Sequence, residues 1–187
     1  MRLNLPLSLT LLRVAAIPVV LTLFYVPLPH ARQIATVVYT VACITDWLDG
    51  YLARRWGQTT RFGAFLDPVA DKLLVASCLV MLLRDEPGGL LAIIAAIIIG
   101  REITISALRE WMAELGQRTS VAVSWIGKWK TGFQMTAIGM MIWRIPTFGV
   151  PWYELGYVLL LAAAVLTIWS MANYLRAAWP MMREPGE

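Results

Sequence analysis

The sequence predicts an all-α bundle embedded in a membrane, with six spans in one domain over residues 1–187. Three observations carry that expectation. Hydrophobic residues make up 59% of the 187 and charged residues 15%, against about 25% charged in a soluble domain; mean hydropathy is +0.65. Apolar stretches recur near the roughly 20 residues that cross a bilayer. Connectors rich in turn residues separate them, as in Val26-Pro-Leu-Pro-His30, Asp85-Glu-Pro-Gly-Gly89 and Pro146-Thr-Phe-Gly-Val-Pro151.

The expected spans are 9–28, 33–52, 63–83, 90–115, 125–143 and 153–178. The first contains Arg13 and has no basic leader with a cleavage site, so it reads as a retained span. Residues 1–8 are expected to form a short interfacial lead-in. The fourth is 26 residues long, or about 39 Å against a hydrocarbon core of about 30 Å, so its far end should project beyond the lipid. Arg101 and Glu102 stand near mid-depth of that span, where charge should face the bundle interior or a wet cavity. Trp125, Trp143, Trp152 and Trp179 fall near span ends, as an aromatic belt would. Cys43 and Cys78 lie inside apolar stretches and read as small buried hydrophobes, with no disulfide framework.

Six spans put both termini on one side. That side carries Arg2, Arg54, Arg55, Arg61, Arg118, Lys128, Lys130, Arg176 and Arg183, against Arg32, Arg84 and Arg144 on the other. The asymmetry places the termini in the cytoplasm. A net charge of +4 suits an anionic lipid surface and is no signal for nucleic acid.

The second and third spans hold the chemistry. Asp46, Asp49, Asp67 and Asp71 stand where apolar residues belong. A single Asp at bilayer depth costs roughly 2.5–3.5 kcal/mol, and four would cost about 10 kcal/mol, the size of a whole domain's stability. Something must neutralise them, and hard divalent cations take carboxylate oxygens. Spacings of three and four residues put each pair on one helix face. Helices joined by the short loop 53–62 should be antiparallel neighbours, so both pairs can converge on one site. Four carboxylates suit two ions about 3.5–4 Å apart, a pair able to hold a diphosphate during phosphoryl transfer. Gly50 and Gly63 would let a nucleotide approach the backbone, and Arg54 is placed for phosphate or base. Later in the chain, Arg101, Arg109, Arg118, Lys128 and Lys130 form a basic group suited to an anionic acceptor. Positive-inside topology and headgroup contact are the plainer explanation of these cations, and Arg109 could simply pair with a nearby Glu.

The order Asp46-x2-Asp49-Gly50-x2-Ala53-Arg54-x8-Gly63-x3-Asp67-x3-Asp71 resembles the signature of the CDP-alcohol phosphotransferases at every fixed position. The resemblance implies a cytoplasm-facing site, a metal-bridged CDP-linked donor and CMP as leaving group. Asp46, Asp49, Asp67 and Asp71 would hold two Mg²⁺, with Mn²⁺ also suitable. Asp71 would be the general base. Asp46, Gly50, Ala53, Arg54, Gly63 and Asp67 would bind the CDP-lipid. Asn4-Leu-Pro with Leu9-Thr-Leu-Leu-Arg13, the stretch from Arg101 to Leu115, and Ser124-Trp-Ile-Gly-Lys128-Trp-Lys130-Thr131 are similar to bacterial members of the family. Those members pass a phosphatidyl group from CDP-diacylglycerol to glycerol 3-phosphate, so the five basic residues would hold the acceptor phosphate. The resemblance also favours a homodimer in the bacterial inner membrane. Without it, inositol phosphate, serine or a second phosphatidylglycerol remains open as acceptor. A cation transporter should show repeat symmetry and broken helices, and no symmetry is visible. An inert bundle would leave the clustered acids costly without return.

Overall fold

A computed structural model describes residues 5–56, 60–114 and 125–183, with backbone alone at several positions that include 50–54 and 125–129. The described residues form six α-helices and no strand: α1 Leu5–Leu23, α2 Ala31–Trp56, α3 Arg61–Asp85, α4 Gly89–Glu114, α5 Trp125–Trp143 and α6 Trp152–Arg183. Each expected span corresponds to one helix. The first differs most. It is helical from Leu5, so the described part of the lead-in is continuous with it, and it ends at Leu23 rather than at residue 28. Beyond Leu23 the chain turns through Phe24 and Tyr25, and Pro27 and Pro29 bar continuation. The second helix continues past residue 52 to Trp56. The third starts at Arg61, where the N-cap Thr60 hydroxyl accepts from the Gly63 N–H at 3.0 Å.

Gly89–Ala113 and Trp152–Arg176 are long and apolar enough to cross a membrane by themselves, and α1 holds the shorter apolar stretch Leu7–Leu23. Elsewhere the acids and cations of the site interrupt the apolar run. Outward faces are greasy nonetheless. Val37, Val41, Ile44 and Trp47 on α2, and Val158, Val165, Ile168 and Trp169 on α6, are exposed. Apolar surface on that scale calls for an apolar surround.

The core runs through the middle of the bundle, with Val20, Tyr39, Leu74, Cys78, Leu79, Ile98, Ile138, Met141 and Leu160 almost fully buried. Both cysteines are free thiols, Cys78 buried and Cys43 half-buried. Helices α5 and α6 approach closely at Gly156, where an added Cβ would lie 2.8 Å from the Ala137 carbonyl oxygen; a small residue here lets two backbones meet. At the end opposite the acidic motif, Arg32 pairs with Asp85. Arg144 reaches the same carboxylate at 3.5 Å, so three connectors share one ion cluster.

One relation departs from the sequence reading. Helices α2 and α3 are joined by a short connection but meet each other only marginally; α1 packs extensively on both and separates them. The wedge carries polar groups. Arg13, with no exposed surface, is 2.6 Å from Asp46 and 2.5 Å from Asp49. Thr10, one turn earlier, donates to Asp67 at 2.5 Å. An apolar helix with one arginine can sit between two acidic helices only if that arginine is their counter-charge. Arg13→Met should therefore destabilise the protein by about 3–5 kcal/mol, because it leaves two carboxylates uncompensated. The check is loss of thermal stability in detergent; a melting temperature equal to wild type would remove Arg13 from this role.

Candidate active site

The candidate residues that the structure describes lie between the middle and one end of the bundle. Thr10 and Arg13 are in the first half of α1, Asp46 and Asp49 in the second half of α2, Asp67 and Asp71 in the first half of α3. Arg101 stands at the midpoint of α4, Glu102 and Arg109 in its second half, Lys130 in the first turns of α5, and Tyr174 in the last third of α6. Contacts between helices confirm the convergence, from Thr10–Asp67 and Arg13–Asp49 to Lys130–Glu102 and Arg109–Tyr174.

The acidic part is built around α1. Asp49 is 3% exposed and grips Arg13, while the Asp46 side chain, also on Arg13, is 33% exposed. Asp67 also lies within electrostatic range of Asp46. Pro68 follows Asp67 inside α3. Its ring nitrogen cannot donate to the carbonyl four residues back, so the helix is one bond short beside the site. Gly63 is buried, and an added Cβ would approach the Thr60 hydroxyl to 2.9 Å. Gly63 thus protects the cap of α3, in addition to the close approach to a nucleotide expected of it.

The donor set suits a hard cation: carboxylates and a threonine hydroxyl, with no thiolate or imidazole among the contacts. Among the described residues, no three acidic side chains are grouped in ligand geometry. Asp46 and Asp49 instead turn onto Arg13, whose Nε has no partner. A guanidinium held by two carboxylates marks a locus that takes positive charge, which is the observation favouring a cation here.

Asp71 faces the other way. It lines a cavity of about 210 Å³ together with Lys72, Arg101, Glu102, Arg109, Thr131, Gln134 and Tyr174. The charges that act on it are those of Asp46, Arg13, Glu102 and Lys72. Asp71 therefore joins the acidic cluster to the cavity. Arg101 and Lys130 both bind Glu102, at 2.5 and 3.1 Å, and Lys130 is 1% exposed. Arg109 donates to the Tyr174 hydroxyl at 2.9 Å, and among the described residues it pairs with no Glu. A small apolar cluster of Ile105, Leu108, Met112 and Tyr174 braces this wall.

Of the five basic residues expected at the acceptor, Arg101 and Arg109 line the cavity. Lys130 stands behind it on Glu102. Arg118 lies outside the described residues, and Lys128, Gly50, Ala53 and Arg54 are described in their backbone alone. Sequence reasoning missed Arg13, Thr10, Lys72, Gln134 and Tyr174. Arg13 had a signal, since an arginine inside an apolar span needs an acidic partner. Lys72 had no signal beyond its place next to Asp71 in the chain. Gln134 and Tyr174 had none, because one polar residue in a long apolar helix does not reveal its neighbours.

A sequence model of the CDP-alcohol phosphatidyltransferase family matches residues 3–169. The chain is 52% identical over 179 residues to a protein of Haemophilus influenzae named CDP-diacylglycerol–glycerol-3-phosphate 3-phosphatidyltransferase, covering 95% of each. A Yersinia pestis protein of the same name is 53% identical over 186 residues, 99% of this chain and all of that one. A Salmonella choleraesuis protein, again so named, is 53% identical over 178 residues, 95% of this chain and 96% of the relative. With the eight-residue motif complete and both of its acidic pairs gathered at one end of the bundle, the chain belongs to the CDP-alcohol phosphatidyltransferase family.

Proposed function

We propose that the protein transfers the phosphatidyl group of CDP-diacylglycerol to sn-glycerol 3-phosphate, forming phosphatidylglycerophosphate and releasing CMP. The observation that carries this reading is the placing of Asp71 in one small cavity with Arg101 and Arg109. A carboxylate that can take a proton and two guanidinium groups that attract an anion suit an alcohol that already bears a phosphate. The cavity is below the usual volume of a drug-sized pocket, so it suits the three-carbon acceptor and not the nucleotide lipid. The names of the near full-length relatives support the same donor and acceptor.

In this reading the primary hydroxyl of the acceptor attacks the phosphorus that bears the diacylglycerol. The new bond is O–P, and the bond that breaks joins that phosphorus to the oxygen bridging to CMP. Asp71 takes the hydroxyl proton, and CMP carries away the electron pair. Arg101 and Arg109, with Arg118, Lys128 and Lys130 as further cations, hold the acceptor phosphate away from the acidic cluster, which would repel it. Gly50, Ala53, Arg54 and Gly63, with Asp46 and Asp67, serve the CDP moiety. Asp46, Asp49, Asp67 and Asp71 would hold two Mg²⁺, or Mn²⁺, and those ions would neutralise the diphosphate and the charge developing on it. In-line displacement needs no protein nucleophile. The bilayer setting rests on the exposed apolar faces, the two strongly apolar helices and the charge asymmetry of the connectors. We place all six helices across the inner membrane of a bacterium, as a homodimer, with both termini and the site in the cytoplasm.

CMP release from CDP-diacylglycerol tests the reading directly. Glycerol 3-phosphate should support it, while inositol phosphate, serine, phosphatidylglycerol and free glycerol should not. EDTA should abolish turnover and Mg²⁺ restore it; full turnover in chelator would sink the metal assignment. General base catalysis contributes about 10²–10⁴-fold, so Asp71→Asn should lower kcat by that factor with KM for both substrates largely kept. A variant within threefold of wild type would move the base elsewhere. For topology, a thiol introduced by Gln58→Cys in a Cys43→Ala, Cys78→Ala background should react with an impermeant reagent only from the cytoplasm. One from Gly88→Cys should react only from outside. Labelling of both from one face contradicts a span between them.

A further inference from the structure

Two residues in the wall of the cavity beside Asp71 each carry a buried polar atom without a partner, and the two atoms have opposite hydrogen-bonding sense. Arg101 uses Nη1 on Glu102, yet its Nε–H is buried with no acceptor. Gln134, on α5, is 3% exposed, and its Oε1 is buried with no donor. Both side chains line the same cavity. Other cations around it are engaged: Lys72 with Ser106, Arg109 with Tyr174, Lys130 with Glu102.

A buried polar atom without a partner costs about 1–3 kcal/mol, and native proteins leave few of them. One unmatched donor and one unmatched acceptor on side chains that wall a cavity of about 210 Å³ suit a small ligand that both accepts and donates. A phosphate oxygen answers Arg101 and a hydroxyl answers Gln134. An acceptor alcohol phosphate whose only hydroxyl is the one that gives its proton to Asp71 would leave Gln134 unanswered. A second hydroxyl on the acceptor fills that vacancy in the hydrogen-bond pattern.

We propose that Gln134 is a specificity-determining residue, whose Oε1 accepts a hydrogen bond from the C2 hydroxyl of glycerol 3-phosphate while Arg101 and Arg109 face its phosphate and Asp71 its C1 hydroxyl. This rests on the acceptor reading given above. It makes the α5 wall of the cavity, not only the cations, the part that recognises the glycerol skeleton. A site built to bond a hydroxyl discriminates against the analogue lacking it, because the protein group is then left buried and unpaired.

The test compares two acceptors, sn-glycerol 3-phosphate and 3-hydroxypropyl phosphate, which lacks only the C2 hydroxyl. CMP release is measured with full-length wild type and with Gln134→Leu, in mixed micelles with CDP-diacylglycerol and Mg²⁺. Wild type should prefer glycerol 3-phosphate by about tenfold or more in kcat/KM. In Gln134→Leu the preference should fall to within about threefold, through loss on glycerol 3-phosphate alone, with KM for CDP-diacylglycerol unchanged. Equal losses on both acceptors would make Gln134 a packing residue and overturn the proposal. So would a wild type that uses both acceptors equally, a result that stands even where the variant fails to fold. A wild type that turns over neither acceptor overturns the acceptor reading as well, and so separates the two failures.

Discussion

Arg13 has no exposed surface, and Asp46 and Asp49 meet its charge at 2.6 and 2.5 Å. Much of the active end of the bundle depends on that ion pair. An isolated buried carboxylate would be expected to neutralise itself by taking a proton. With Arg13 inserted, the acids of α2 keep a counter-charge, and α1 gains a fixed register against its neighbours through Thr10 on Asp67. Buried ion pairs contribute little net stability compared with a well-packed apolar substitute, but losing one member is severe. A chain that keeps such a pair in its interior keeps it for what the acids do.

Asp71 divides the site. Asp46, Asp49 and Asp67 belong to the part organised by α1, a region of negative charge with a cation already in it. Asp71 belongs also to the cavity lined by Arg101, Glu102, Arg109 and Gln134. Two substrates that each carry phosphate repel one another and would compete for any one cationic locus. In the proposed reaction, separate binding regions with Asp71 as base at their boundary would remove that competition and bring the acceptor hydroxyl to the donor phosphorus from the cavity side. Proximity of this kind supplies a large share of a barrier reduction without any covalent intermediate.

The opposite end of the bundle does a different task with similar residues. Arg32, Asp85 and Arg144 tie three connectors together, and Arg32 and Arg84 also lie over the rings of Phe24 and Tyr25. Cross-linking the helix ends there limits how far the helices can splay. The two ends thus differ in kind: ion pairs between connectors at one, ion pairs between helix interiors and a polar cavity at the other.

Hydropathy and turn residues were enough to place six helices, because a span must be apolar for about 20 residues and must then end. The acidic motif was legible for a related reason: four carboxylates in apolar helices stand out at once, and their spacing alone assigns each pair to a face. The same reading put α2 and α3 side by side, since a short connector suggests contact. Only the tertiary structure set α1 between them, and no local pattern carries that information, because which helix fills a groove is decided by packing across the whole bundle. Arg101 and Glu102 had to face inward, and they do; that Glu102 is shared by Arg101 and Lys130, or that Arg109 rests on Tyr174, depends on which helices meet there. Gln134 is the extreme case. In sequence it is one amide in an apolar helix; in the folded chain it carries an unmatched acceptor and shares a cavity wall with Asp71, and only the convergence of α3, α4 and α5 makes it so.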